Sequence, residues 1–314
     1  QFLEEKALRL KISSKGLGDK IVLLDLDTYS CTLETTPPFP VGQTLLPVVS
    51  PDGNKVVFNR DHNLFLYDKR RGVEKPLTND GERHFGYGDY PDHISIGALE
   101  GSPLPSNIIW SSDSRYVAVQ RIDERRVGEI PVMQSVPTDG SFRPVARFHK
   151  MALPGDEEVA MASLTVIDVI SGKATVCDRT PMPAAFGGPM EYGGVCWGED
   201  NCVYFVEWTR DRQTFRLISF NPMDGKSRLL IEDMGQGFYG PGPITLYSPT
   251  LFKVLPEVNE FIWYSHLSGW GHLYRYDLAT GELKNPITQG EYVVTNIHRV
   301  DTDKKCLYFT ACGR

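Results

Sequence analysis

The chain has 314 residues, 41% of them hydrophobic, and its 33 Lys and Arg face 40 Asp and Glu for a net charge of -7. That balance argues against the basic face on which nucleic-acid binding rests, and no apolar run approaches the roughly 20 residues of a membrane helix. The six cysteines lack metal-site spacing and read mostly as buried free thiols in strands, although Cys196 and Cys202 are spaced for a bridge across one hairpin.

Residues 1–20 read as a polar lead-in with one strand, ALRLKI, followed by SSKGLGDK; Gln1 in place of Met marks a processed or trimmed chain. IVLLDLDTYSCTL from Ile21 then completes a blade whose first strands are weak or missing. Thr35 to Val41 is a proline-rich connector. The first full unit runs from Leu46 to about Thr78. It opens with LPVVSPDGNKVVF, an apolar strand, a polar turn and a second apolar strand. NLFLYDKRRGVEKPLT follows, in which a strand reaches an Asp, turns through a Gly and returns. The same pair of elements recurs as IIWSSDSRYVAV with LTVIDVISGKATV, and as VCWGEDNCVYFV with FRLISFNPMDGKSRLLI. A fourth unit runs from Tyr247 to Thr288 and contains FIWYSHLSGWGHLYRYDLATGELKNPIT. Val294 to Arg314, with IHRVDTDKKCLYFT, supplies half of another.

Repetition of one supersecondary unit at irregular spacing predicts an all-β fold, a β-propeller of four-stranded antiparallel blades in a single domain over 1–314. Four blades are complete and partial blades stand at both ends. Because the chain stops inside a hairpin, leaving an unpaired edge, a fragment of a longer propeller is expected. Helix should be scarce and confined to the two long insertions.

Those insertions carry the candidate sites. Gly81 to Asn107 is a long loop rich in Gly, Pro, aromatic and acidic residues, and long loops on a rigid scaffold commonly hold binding groups. Its carboxylates Asp89, Asp92 and Glu100 are candidates to bind a cation or an amine, against the plainer reading of solvated loop acids. HFGYGDYPDH also sets His84, Asp89 and His93 close in sequence, but a polar loop is the better reading and no metal is expected. The second insertion, Ile122 to Ala162, has a strand-like middle, IPVMQSV, that should project as a hairpin and offer a partner surface. Arg125, Arg126, Arg143 and Arg147 could take a carboxylate in a guanidinium fork, unless Asp156 to Glu158 neutralise them. Catalytic signatures are missing: there is no G-x-S-x-G elbow, no P-loop, no dinucleotide fingerprint opening a helix and no helical HExxH. No cofactor is expected.

SPDGNKVVF with NLFLYD, IIWSSDSRYVAVQ with IDERRVGEIPV, MALPGDEE before LTVIDV, and GWGHLYRYD with ITQGEY follow one another along nearly the whole chain. Together they resemble the N-terminal propeller of dipeptidyl peptidase IV and its relatives in the prolyl oligopeptidase group. The resemblance implies an eight-bladed propeller that caps a C-terminal α/β-hydrolase domain carrying a Ser-Asp-His triad, filters access and holds the peptide's N-terminus. It implies a peptide substrate and that hydrolase domain as partners, and leaves a homodimer of the parent open. No residue here corresponds to the triad. The family's paired glutamates, which bind the free amine, fall in register with Leu99 and Glu100, so Glu100 alone can play that part. The arginine that the family takes from the loop before the SPDG blade has no counterpart between Glu34 and Gln43. Both departures bear on strict dipeptidyl specificity. A stand-alone binding propeller without catalysis is the alternative. Compartment stays open between periplasmic or extracellular and cytoplasmic.

Overall fold

The computed structural model describes residues 2–3, 7–14, 18–34, 45–95, 104, 106–137, 140–184, 188–190, 193–234, 242 and 250–313. The chain divides into two compact units, Gln1–Gln43 and Thr44–Arg314. In the first, β1 (Phe2–Leu3), β2 (Ala7–Ser14), β3 (Gly18–Asp25) and β4 (Cys31–Glu34) pair in that order as a four-stranded antiparallel sheet. This corrects the expectation of a partial blade at the N-terminal end. The β2–β3 ladder runs unbroken from Ala7 opposite Asp25 to Ser14 opposite Gly18. Backbone pairing thus defines strands whose side chains announce them only weakly, and β1 is too short to register as a pattern.

The second unit repeats this sheet. Three sheets follow one path, in which each strand pairs antiparallel with the next in sequence. They are β5 (Val48–Val49), β6 (Lys55–Arg60), β7 (Asn63–Asp68) and β8 (Val73–Pro76); β17 (Val195–Trp197), β18 (Val203–Trp208), β19 (Thr214–Asn221) and β20 (Lys226–Met234); and β21 (Phe252–Leu255), β22 (Glu260–Ser265), β23 (His272–Asp277) and β24 (Leu283–Pro286). Between the first two lies the interrupted sheet, with the same path through β10 (Ile108–Trp110), β11 (Tyr116–Asp123), β14 (Met161–Asp168) and β15 (Ala174–Val176). It is extended by β9 (Phe85–Tyr87) against β11 and β16 (Met182–Pro183) against β14. The second insertion does form a separate two-stranded hairpin, β12 (Glu129–Gln134) with β13 (Val145–Lys150). β25 (Val293–Asp301) and β26 (Cys306–Cys312) make the last, two-stranded sheet. Among the described residues the helices are α1 (Asp92–Ser95) and one 3-10 turn, Pro256–Val258. The first lies in the predicted insertion, whereas the second caps the β21–β22 turn.

Two turn chemistries recur in these sheets. Between the first two strands of two sheets, and between β18 and β19 of a third, a Ser or Thr hydroxyl donates to an Asp two residues on and accepts the backbone N–H five residues on. Ser50 with Asp52 and Lys55, Ser111 with Asp113 and Tyr116, and Thr209 with Asp211 and Thr214 all do so. Between the last two strands an Asp carboxylate accepts the N–H groups two and three residues ahead, and its carbonyl accepts from a Gly four ahead. Asp68, Asp168 and Asp277 repeat this with Gly72, Gly172 and Gly281. The cysteines are free; Cys177 is buried, but Cys31, Cys306 and Cys312 are exposed, which corrects the expectation for those three. They lie on β4 and β26, each at the edge of its sheet.

Gly172 and Gly281 separate two costs of losing a glycine. Both have left-handed φ, 76° and 77°. Around Gly172 a Cβ meets nothing within 4 Å, whereas at Gly281 it falls 2.1 Å from the Leu230 carbonyl oxygen. Gly172→Ala is expected to cost about 1 kcal/mol and Gly281→Ala about 3 kcal/mol, since only the second adds a backbone clash to the strained φ. Equal midpoint shifts in urea unfolding would contradict this.

Candidate functional site

The acidic loop is tied to its sheet before it reaches the candidate carboxylates. Asn63 receives Thr78 Oγ1 and Gly81 N–H on Oδ1 and donates from Nδ2 to the Gly81 carbonyl. β9 then pairs with the far end of β11, Phe85 opposite Asp123 and Tyr87 opposite Arg121. His84 (φ 66°) and Gly88 (φ 71°) make the turns on either side. Arg121 lies over the rings of Phe85 and Tyr87, with its guanidinium carbon 3.5 and 4.4 Å from their centroids. Arg125 sits 3.7 Å from the Phe85 centroid. The Asp89 carbonyl accepts from Gln120 Nε2 and Asn107 Nδ2, at 3.2 and 3.3 Å.

On this backbone Asp89 and Asp92 are part-buried, and each is held by a group from elsewhere in the chain. Asp89 Oδ2 is 2.9 Å from His62 Nδ1, in the β6–β7 turn. That hydrogen bond is the main reason the His62 pKa rises above its ordinary value, with burial opposing. Asp92 Oδ2 accepts the Lys150 N–H at 2.9 Å, and its Oδ1 lies 3.5 Å from His149 Nδ1, both from β13. The Asp92 N–H donates to Glu124 Oε2 at 2.9 Å, and Glu124 Oε1 lies 3.0 Å from His84 Nδ1. Glu124 is buried, which pushes its carboxyl pKa up, while the Asp92 N–H and His84 work against the rise.

The sequence brought out Asp89 and Asp92, and the structure sets both on one segment around α1. Glu100 lies outside the described residues. His84 and Asp89 take different partners, Glu124 and His62, and no group of metal-ligating side chains gathers among the described residues. Arg125 and Arg126 are already engaged. Arg125 forks onto Asp123 at 2.9 and 2.7 Å and reaches Glu82 at 3.0 Å, and Arg126 pairs with Glu158. The residues that sequence reasoning missed are Glu124, His62 and His149. Glu124 sat in view within IDERR, but only its burial at the end of an apolar strand marks it out. Away from this segment, a cavity of about 520 Å³ opens between β21–β24 and β25–β26, with Leu255, Ile262 and Ile287 among its walls.

Comparison with known proteins decides the family. Residues 15–314 match the model for the dipeptidyl peptidase IV (DPP IV) N-terminal region. The chain belongs to that family. It is 36% identical to a probable dipeptidyl-aminopeptidase B of Uncinocarpus reesii over 293 residues, 88% of this chain and 31% of that protein. It is 25% identical to a probable dipeptidyl peptidase 4 of Aspergillus fumigatus over 291 residues, 90% of this chain and 36% of that one. The chain therefore spans about a third of the length of these relatives. The crystal structure of Porphyromonas gingivalis dipeptidyl peptidase 4 superposes with a TM-score of 0.66 at 20% identity, over 97% of this chain and 41% of that one. A putative dipeptidyl aminopeptidase IV from Bacteroides ovatus does so with 0.66 at 18%, covering 98% and 41%. These two matches speak to the fold.

The His62–Asp89 pair makes a pH prediction for this family member. A histidine with a raised folded pKa adds stability that is fully present below its unfolded pKa, near 6.5, and is lost as pH rises through the folded value. The melting temperature is expected to fall on going from pH 6 to pH 8.5, by less in His62→Gln than in the unaltered chain. Identical falls in both would contradict it. The effect is small because His62 is 39% exposed in its side chain.

Proposed function

We propose that this chain is the substrate-gating and N-terminus-binding part of an eight-bladed β-propeller in a dipeptidyl peptidase IV-like serine exopeptidase. Family membership supports the parent class. The observation that carries the binding role is the placement of Asp89 and Asp92, part-buried and held in place, on the segment leading to the Trp110 strand. An ammonium group entering a cavity loses hydration, and carboxylates within about 4 Å offset that loss through Coulomb attraction and charge-assisted hydrogen bonds. In this reading Glu100, closer in sequence to Trp110, is the primary acceptor and the two aspartates assist. A fused C-terminal α/β-hydrolase domain supplies the Ser nucleophile and His base for acyl transfer.

The test is kinetic and uses the full-length protein. Glu100→Gln is expected to raise KM about tenfold for peptides with a free N-terminus and to leave N-blocked peptides nearly unchanged, since only a charged amine loses its partner. Asp92→Asn should act in the same direction but more weakly. Equal effects on both substrate types would remove the amine-binding role. The 314-residue chain alone, without a nucleophile elbow, is expected to turn over no X-Pro amide.

A second reading, a protein-binding scaffold, is favoured by the β12–β13 hairpin. Met133, Phe142 and Phe148 are 60%, 100% and 58% exposed, an apolar surface that no other described residue covers. The gene beyond Arg314 discriminates: G-x-S-x-G downstream supports the enzyme, and an early stop codon supports the scaffold.

A further inference from the structure

Three imidazole–carboxylate pairs surround the segment Phe85–Ser95, and the amine-binding proposal makes no use of the imidazoles. They reach it from three directions. His62 comes from the β6–β7 turn, His84 from the turn before β9, and His149 from β13 of the insertion hairpin. The first two pairs are closed at 2.9 and 3.0 Å. The third is not. His149 is 7% exposed, and neither of its ring nitrogens has a hydrogen-bond partner. Its Nδ1 stops 3.5 Å from Asp92 Oδ1, too far and too poorly aligned to count as a bond.

A buried imidazole without partners is unfavourable, and the group within reach of it is an anion. The protonated ring carries two N–H donors and a positive charge, so it gains a charge-assisted bond to Asp92. The neutral ring brings one N–H and no charge. Acidic groups predominate among the charges around these rings. His62 faces Asp89 and Asp61, opposed by Arg83. His84 faces Glu124, whose neighbour is Asp92. His149 faces Asp92 from α1, while Lys150 beside it on β13 directs its ammonium to the Val127 carbonyl and to Glu129.

We propose that the three pairs form a proton-operated clamp, which fastens the acidic segment to the β6–β7 turn, to the end of β11 and to the base of the insertion hairpin. The clamp tightens as the imidazoles take up protons and slackens as they lose them. His62, His84 and His149 are positioning residues in this device, and it holds whether or not Asp89 and Asp92 bind an amine.

The Lys150 amide is the reporter, because it donates to the same Asp92 carboxylate that a protonated His149 ring would hold more firmly. In the 314-residue chain its hydrogen exchange, corrected for the intrinsic pH dependence, is expected to be about tenfold slower at pH 5.5 than at pH 8. His149→Gln keeps a polar ring-sized group without the titration and is expected to abolish the difference. Amides of the β18–β19 ladder should show none in either protein. Nitrogen NMR of the unaltered chain reads the His149 ring directly, with protonation by pH 5.5 expected. A ring still neutral at pH 5.5, equal Lys150 protection at both pH values, or a difference that survives in His149→Gln would each overturn the clamp.

Discussion

Burial of both faces of the three sheets built on β11, β18 and β22 against their neighbours is the constraint on which everything else rests. The alternation of a single strand shows it. In β11, Val117 and Val119 enter a core shared with Val57, Leu64 and Leu66 of the preceding sheet. Tyr116 and Ala118, alternating with them in sequence, enter a different core with Val203, Phe205 and Phe220 of the following sheet. β18 divides the same way, with Val203 and Phe205 on one side and Tyr204, Val206 and Trp208 on the other. So does β22, where Phe261 and Trp263 face one core and Ile262 and Tyr264 the next. Each such side chain removed from water contributes about 1.5–3 kcal/mol, so a sheet lacking either neighbour loses a large part of its stabilisation. Indole N–H groups bridge successive sheets at the first strands: Trp110 donates to the Val48 carbonyl and Trp197 to that of Ile109.

That constraint explains what the sequence reveals. Strands buried on both faces lose the apolar–polar alternation and read as continuous apolar runs, as YVAV, VYFV and FIWYS do. Their turns must then be written in a fixed chemistry, and Asp52, Asp113, Asp68 and Asp277 stand out in the sequence for that reason. The N-terminal sheet was legible only in part: ALRLKI and the pair from Ile21 read as strands, whereas β1 spans two residues and left the sheet looking incomplete. A strand of two residues is too short to carry a side-chain pattern.

The site was readable only in part, for a different reason. Asp89 and Asp92 are conspicuous because acids cluster in a Gly- and Pro-rich loop. Their partners are not, because His62 lies 27 residues from Asp89 and Lys150 lies 58 from Asp92. Glu124 is a carboxylate placed where an apolar residue would be expected. It is tolerated because two donors, the Asp92 N–H and His84, meet its two oxygens. Arg125 and Arg126 misled in the opposite sense. Arginines on an insertion invite an anionic ligand, yet local acids occupy these two.

The position of Glu124 has a topological reason. The β11–β14 ladder continues past the ends of β10 and β15, through Arg121 opposite Ser163 to Asp123 opposite Met161. β9 and β16 line this extension on either side, so it remains a four-stranded layer. The insertion hairpin leaves from the last pair of that layer. Its two ends are therefore already held side by side by the ladder, and the chain between them adds little loop-closure entropy however long it is. Left to the ladder's last bonds alone, an insertion at this junction would be free to swing. Glu124 is the first residue beyond the ladder, and His149 and Lys150 close the hairpin's other strand. Contacts from these residues to Asp92 restrain the swing, and they couple the acidic segment to the only hairpin of the described structure that stands apart from the four-stranded sheets and the terminal pair.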